Sequence, residues 1–175
     1  PELVLSRMAG GKGEDIMFTS NNTTPEEFTA AQTDGGSIIN LDDITLVDKL
    51  SPFPELIAFR YNPGPRRSGN AIIGNPAESK YGVSHDQIVE AYQLAIRRGA
   101  QRFGLHTMIA SNELDYRNIV ETTRMILDIA AWVGRSTGIR FEFVNIGGGI
   151  GIPYQPDQSA FDLEAMAQEV EVLFQ

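Results

Sequence analysis

The sequence predicts a parallel α/β protein, and three observations lead to that prediction. Short apolar segments rich in β-forming residues alternate five times with segments whose apolar residues recur at helical spacing. No two-residue turn of the hairpin type separates the apolar segments. A run of glycines follows the last of them. A doubly wound sheet and a barrel both fit this alternation, and both place the chemistry at the carboxyl ends of the strands.

The first half of the chain predicts a short helix followed by three strands. The helix covers residues 3–8, and the strands cover residues 15–20, 37–41 and 55–61. Thr24 and Glu27 form a capping box with Pro25 at the first helical position, which predicts a helix that runs to about Gln32. A further helix is predicted over residues 43–50, before Pro52.

The second half contains a long loop and three more helices. Residues 62–82 are rich in proline and glycine and form the longest connection, a feature typical of functional loops. Ser84 and Gln87 predict a second capping box that starts a helix ending near Arg98. Gly138 is the expected end of the next helix. The remaining elements are strands over 102–109 and 141–146 and helices over 115–135 and 161–174.

Composition excludes several classes of protein. The 175 residues are enough for one core but fewer than the roughly 250 of a complete eight-unit barrel. The net charge of −9 is spread along the chain, which disfavours a nucleic-acid partner. The absence of cysteine excludes disulfides and thiolate metal sites. No apolar run is long enough to cross a bilayer and no signal pattern is present, so we expect a cytoplasmic protein that is not a membrane protein.

The glycine run is the strongest candidate for a binding site. Gly147, Gly148 and Gly149 follow an apolar run that predicts a buried strand over residues 141–146, and Gly151 comes soon after. Adjacent glycines let an anion approach main-chain N–H groups, so a phosphate site is one interpretation. A tight turn without a ligand is the other. No Gly-Lys-Ser/Thr sequence follows, which excludes the Walker phosphate loop.

Other polar residues lie where the remaining strands end. His106 is either a structural histidine whose hydrogen bonds are satisfied within the sheet or part of a site. Ser111 either donates a hydrogen bond to a phosphate or caps the next helix. Lys80 is either a cation near the same edge or a solvated surface residue. Asn21 and Asn22 either contact a ligand or form a turn. The chain has no hydrolytic triad and no histidine cluster with metal-ligand spacing.

Four segments in order resemble the diaminopimelate decarboxylases, which are fold-type III pyridoxal-phosphate enzymes. The segments are Asn21-Asn22, Lys80-Tyr81-Gly82-Val83, residues 104–111 and residues 145–152. The cofactor domain of that family is a TIM barrel of the alanine racemase type. The resemblance extends from about Asp15 to Tyr154 and implies an incomplete barrel of this kind, with pyridoxal phosphate as the cofactor.

The resemblance also implies roles for individual residues. Gly147, Gly148 and Gly149 resemble the loop that binds the cofactor phosphate, and Ser111 resembles the serine that joins it. His106 matches the first histidine of the family's Gly-Leu-His-x-His-Ile-Gly-Ser segment and is the catalytic candidate.

The sequence departs from the family's pattern at three positions. Met108 replaces the second histidine of the segment, which contacts the cofactor ring; a methionine packs on a ring through its sulfur but makes no comparable hydrogen bond. Ala110 and Asn145 replace a glycine and an aspartate of the pattern.

The implied parent enzyme is a homodimer that removes CO₂ from meso-diaminopimelate, its amino-acid substrate, to give L-lysine. The family's cofactor-bearing lysine is expected before residue 1, because Lys80 aligns with a different lysine of the family. The family's Glu-Pro-Gly-Arg segment and its C-terminal β-domain are also expected outside residues 1–175. Residues 1–175 are therefore expected to form one partial barrel domain of five units, inactive on its own.

Two alternatives to this function stay open. One is a non-catalytic pyridoxal-phosphate carrier built on the same barrel. The other is a phosphate-binding barrel enzyme of different chemistry, which needs acid–base carboxylates at the strand ends. Glu142 is the carboxylate nearest to such an end, and its alternation with Phe141 and Phe143 predicts that it faces outward.

Overall fold

A computed structural model describes residues 1–33, 35–66 and 81–175. Lys80 and much of the long loop lie outside these residues. The described chain forms six strands: β1 (Met17–Ser20), β2 (Ile38–Leu41), β3 (Leu56–Asn62), β4 (Val83–Ser84), β5 (Arg102–His106) and β6 (Phe141–Asn145). The helices are α1 (Glu2–Met8), α2 (Pro25–Thr33), α3 (Ile88–Arg97), α4 (Tyr116–Thr137) and α5 (Leu163–Val172). None of the described helices has the length and apolar character needed to cross a membrane.

The strands form one parallel sheet with the order β1-β2-β3-β5-β6, and β4 pairs with β3. The predicted parallel α/β architecture is confirmed. The order follows the chain without reversing, whereas a doubly wound sheet reverses at its switch point. Because parallel crossovers are right-handed, an order that never reverses places the connecting helices on one face. This topology is that of a barrel wall.

The sheet curls so that its outermost strands approach each other. Asn145 on β6 donates from Nδ2 to Sδ of Met17 on β1 at 3.6 Å, although these two strands do not pair. At the amino end of the strands, Arg102, the first residue of β5, forms an ion pair with Glu14, which precedes β1. The sheet is therefore curved but not closed, as predicted for an incomplete barrel.

Several predicted helix ends are confirmed. The amide of Thr24 donates to Oε2 of Glu27 at 2.8 Å, and the amide of Glu27 donates to Oγ1 of Thr24 at 3.3 Å, which is a capping box. Asp115 caps α4 by accepting from the Arg117 amide. Gly138 ends the same helix with a φ of 80°, a left-handed conformation that glycine adopts without a steric penalty.

The helix predicted over residues 43–50 is present as a 3₁₀ helix, Ile44–Lys49, capped by Asp43. One predicted helix start is corrected. Ser84 is not a helix cap, because it lies in β4 opposite Asn62; its hydroxyl donates to Oε1 of Gln87, and α3 starts later.

Two strands also differ from their predictions. The strand predicted over 102–109 ends at His106, and the segment beyond it turns to pack on the glycine run. The strand expected to be buried, β6, is only partly buried because it lies at the edge of the sheet.

The hydrophobic core lies between the helices and one face of the sheet, here called the outer face. The strands contribute five residues with no exposed surface: Ile39, Leu41, Ile57, Phe59 and Leu105. The helices contribute Phe28, Ile88, Tyr92 and Ile126. Burial of each such side chain contributes about 1.5–3 kcal/mol to the free energy of folding. Since side chains alternate along a strand, this packing directs the intervening residues to the opposite, inner face.

Candidate functional site

Polar residues from five strands share the inner face. Thr19 lies opposite Asn40 in the register of β1 and β2, and Asn40 lies opposite Ala58. Arg60, two residues beyond Ala58, lies opposite His106, which in turn lies opposite Asn145. Opposed residues of parallel strands point to the same side of a sheet. We call this set the inner-face cluster: Thr19, Asn40, Arg60, His106 and Asn145.

His106 is held within this cluster and is 8% exposed. Nδ2 of Asn40 lies 2.9 Å from Nδ1 of His106 and 3.0 Å from Oγ1 of Thr19. Burial lowers the pKa of His106 to about 4, and the nearby positive charge of Arg60 contributes to the lowering. The imidazole is therefore neutral at pH 7. Its catalytic role stays a prediction.

Arg60 is fixed by hydrogen-bond partners from two other segments of the chain. Its Nη1 donates to Oδ1 of Asp42 at 3.1 Å, and its Nη2 donates to the Met108 carbonyl oxygen at 3.1 Å. Asp42, which is 2% exposed, also accepts from the Gly82 amide at 3.2 Å. The buried carboxylate of Asp42 and the carbonyl oxygen of Met108 thus hold the positive charge of Arg60 near the carboxyl end of β3.

The glycine run turns directly after β6. Gly147, Gly148 and Gly149 have φ values of 84°, 101° and 84°, all in the left-handed region that favours glycine. Oδ1 of Asn145 accepts from the Gly147 amide at 2.8 Å and so forms the start of the turn. A carboxamide oxygen makes this bond as well as a carboxylate does, so asparagine at position 145 is compatible with the loop.

The glycine run packs against the segment that follows β5. A Cβ at position 147 would overlap the Thr107 carbonyl oxygen and lie 2.7 Å from Sδ of Met108. A Cβ at position 149 would overlap the Ala110 carbonyl group. The Glu113 amide also donates to the Gly149 carbonyl at 2.9 Å. Close contact therefore requires glycine at 147 and 149.

Gly148 differs from its two neighbours. A Cβ there would meet nothing within 4 Å. Among the residues that the structure describes, no acceptor bonds the amides of Gly148 and Gly149. Successive glycine amides of this kind are suited to binding an anion.

The structure places most of the predicted site residues beside one another. The Ser111 amide nitrogen is 3.1 Å from the Cβ position at 149, and the Met108 sulfur lies against Gly147. His106 lies opposite Asn145 on the neighbouring strand, and Asn145 bonds the first glycine of the run. Asn21 and Asn22 are exposed in a bend. The roles of these residues as ligands stay predictions, and Lys80 is not among the described residues.

The sequence reasoning missed Asn40 and Asp42. Asn40 lies between Ile39 and Leu41 in an otherwise apolar strand, and it is 1% exposed. A polar residue between two apolar ones in a buried strand is the signal that indicates an inward-facing group. Asp42 follows directly at the strand end.

Comparison with known proteins agrees with this geometry. The family described as "Pyridoxal-dependent decarboxylase, pyridoxal binding domain" matches residues 1–175. The chain belongs to this family. The predicted resemblance to the fold-type III decarboxylases is thereby confirmed, and the family's cofactor is pyridoxal phosphate.

Two curated relatives and one solved structure illustrate the likeness. "Protein TabA" of Pseudomonas amygdali pv. tabaci is 39% identical over 95% of this chain and 39% of its own length. The diaminopimelate decarboxylase of Thermoplasma acidophilum is 35% identical over 97% of this chain and 42% of its own. The chain thus spans about two fifths of the relatives it matches.

The solved structure is that of M. jannaschii diaminopimelate decarboxylase in complex with L-lysine. It superimposes with a TM-score of 0.85 at 24% identity, covering 99% of this chain and 42% of that one. This likeness shows that the fold is shared.

The described residues fit the family's cofactor. Pyridoxal phosphate carries an anionic group, and the amides of Gly148 and Gly149 are donors without an acceptor among those residues. Oδ1 of Asn40 is buried on the inner face without a partner. Hydrogen-bond donors at the edge of a site and an unpaired polar atom inside it are both typical of a site that binds a polar ligand.

Proposed function

We propose that residues 1–175 are the cofactor-binding part of an amino-acid decarboxylase that converts meso-diaminopimelate to L-lysine and CO₂. The glycine run carries this proposal. It combines left-handed glycines, close packing on the segment that follows β5, and two donor amides at the carboxyl edge of a parallel sheet, where such folds bind their ligands.

The residues of the site have separable tasks. The amides of Gly148 and Gly149, together with Ser111, hold the phosphate. Met108 packs on the cofactor ring, since its sulfur already lies beside the loop. When bound, the cofactor supplies an electron-accepting ring that stabilises the negative charge left as CO₂ departs. His106 remains neutral and offers a hydrogen bond without adding charge.

The substrate is supported by the relatives. The Thermoplasma acidophilum protein bears the name diaminopimelate decarboxylase, and the family match favours decarboxylation over a carrier or a phosphate-binding barrel of other chemistry. Glu142, the second residue of β6, is exposed and paired with Arg102, the first residue of β5, so it lies at the amino end of the strands and offers no acid–base group to their carboxyl edge. A homodimer, a cytoplasmic location and a single partial barrel domain over 1–175 belong to the same proposal.

The first experiment tests cofactor binding in the whole protein. After incubation with pyridoxal phosphate and reduction by borohydride, the labelled lysine is mapped by mass spectrometry. We expect one stoichiometric label outside residues 1–175. Label on Lys80 alone would contradict the proposed arrangement, because the chain would then form a cofactor site of a different kind.

The second experiment tests the reaction. Release of CO₂ from meso-diaminopimelate is compared with release from L-ornithine and L-arginine. We expect meso-diaminopimelate to react with the highest kcat/KM, and preference for another amino acid would overturn the substrate assignment alone. Residues 1–175 expressed by themselves are expected to release no CO₂ above a control without protein.

A further inference from the structure

The side chain of Asn40 makes an unusual set of contacts for a buried carboxamide. Its Nδ2 group is shared between Thr19 Oγ1 at 3.0 Å and His106 Nδ1 at 2.9 Å. Its Oδ1 is buried and has no hydrogen-bond partner among the residues that the structure describes. A buried acceptor without a hydrogen bond is unfavourable. The two hydrogen bonds that Nδ2 donates, to Thr19 and His106, therefore explain the orientation of the Asn40 side chain.

The bond from Asn40 determines where His106 carries its proton. A ring nitrogen that accepts a hydrogen bond has no hydrogen of its own, so the neutral imidazole is protonated at Nε2. Among the described residues, Nε2 has no hydrogen-bond partner. It is thus the nitrogen left for a bound group.

The surroundings of His106 oppose a second proton. The charged group that faces it is Arg60 from β3, whose own partner is Asp42 at the end of β2. The neighbours from β2 and β6 are the uncharged Asn40 and Asn145. An uncharged donor on one side and a positive charge on another both favour the neutral ring.

We infer that Asn40 is a positioning residue, which holds His106 in the Nε2–H form so that the ring donates a hydrogen bond to an acceptor atom of the cofactor or substrate. This inference rests on the proposed function and adds a residue to it. The opposite orientation of the amide would place Oδ1 against a protonated Nδ1 and would reverse the role of the ring. The two arrangements are distinguished by measurement.

The test uses the whole protein labelled with ¹⁵N-histidine. The resonances of His106 are those lost in a His106→Gln variant. We expect Nδ1 to show the shift of an unprotonated nitrogen and Nε2 that of a protonated one, unchanged between about pH 5.5 and 8 because the ring does not titrate there. Protonated Nδ1, or an imidazolium at pH 7, would overturn the inference.

An Asn40→Asp variant tests the functional consequence. A carboxylate beside Nδ1 attracts a proton and raises the pKa of His106 by about 1–3 units. We expect a new ionisation in the pH profile of kcat/KM, and a new pH dependence of the absorbance of the bound cofactor. The matched control is Thr19→Val, which removes the other acceptor of the same amide and is expected to leave the Nε2–H tautomer in place.

The outcomes separate this inference from the proposed function. If the whole protein binds no pyridoxal phosphate, the proposed function fails whatever the tautomer of His106. If the cofactor binds and Asn40→Asp leaves both pH profiles unchanged while His106 becomes charged, the inference fails and the proposed function stands.

Discussion

The two faces of the sheet are built from alternating residues of the same strands, yet they are stabilised differently. On the outer face, Phe59 and Leu105 are fully buried among apolar side chains from the helices. On the inner face, their neighbours Arg60 and His106 bond specific atoms of Asp42 and Asn40. Hydrophobic burial is non-directional, whereas hydrogen bonds require defined geometry.

The difference indicates what each face contributes. The outer face supplies free energy of folding and tolerates apolar replacements of similar volume. The inner face supplies oriented donors and a fixed charge, and it contains Oδ1 of Asn40, a buried acceptor without a partner in the described part of the chain. Substitutions on the outer face are therefore expected to change mainly stability, and substitutions on the inner face mainly ligand binding.

The largest expected effect is on the outer face. Phe59→Ala removes a side chain with no exposed surface and should lower the free energy of unfolding by about 3–5 kcal/mol. Urea denaturation of the whole protein measures this loss. As a control, Phe59→Leu should cost less than about 1.5 kcal/mol. Equal losses in both variants would show that volume on this face does not matter.

A second prediction concerns the pH dependence of stability, which the inner face imposes. The folded-state pKa of His106 is about 4 and its ordinary value is 6.5. Between these values the unfolded chain binds a proton that the folded chain does not. Stability is therefore fully present above pH 6.5 and falls as the pH drops towards 4, by about 3 kcal/mol.

This loss is measured by urea denaturation of the wild-type protein and the His106→Gln variant at pH 7 and at pH 4. The variant should lose about 3 kcal/mol less over the same interval, since it lacks the titrating ring. Parallel behaviour of the two proteins would contradict the burial of a neutral imidazole.

The third prediction compares two glycines of the same loop. Gly149→Ala must displace the Ala110 carbonyl and should cost about 2–3 kcal/mol as well as cofactor affinity. Gly148→Ala meets open space, so its cost should be limited to the strain of a left-handed residue, about 1 kcal/mol. Unfolding and titration with pyridoxal phosphate provide both measurements. If Gly148→Ala proves the more damaging of the two, the packing argument is wrong.

The smallest expected effect concerns an ion pair that lies on neither packed face. Arg102 is shared between Glu14 and Glu142, and all three side chains are partly exposed. Glu142→Gln should change the unfolding midpoint only slightly, and the difference should vanish in high salt because solvent and ions screen exposed charges. Glu142→Asp, which keeps the charge, serves as the control.

Much of the fold could be predicted because its signals are local. The capping box at Thr24, the end of α4 at Gly138 and the parallel alternation depend on residues close in sequence, and the structure contains all three. The errors at Ser84 and at the end of β5 have a common cause. In both segments, pairing or packing with distant parts of the chain determines the backbone conformation.

The candidate site could be predicted only in part, for the same reason. The glycine run is visible in the sequence because consecutive glycines are rare in strands and helices. That Asn40 bonds His106 is not visible, since 66 residues separate them. Nor does the sequence show that Gly148 differs from Gly147 and Gly149, because the difference lies in the neighbouring carbonyl groups.

Local patterns in the sequence were sufficient to predict the order and type of most elements, the position of the glycine run and the resemblance that the family match confirmed. Apolar periodicity, caps and breakers act over one or two turns, so their information is contained in short segments. The alternation of elements left a doubly wound sheet and a barrel open, and the family resemblance implied the barrel; the tertiary structure showed the barrel wall directly, and it alone assembled the inner-face cluster. Both depend on the register and curvature of strands that lie far apart in the chain, which are fixed only when the whole sheet packs.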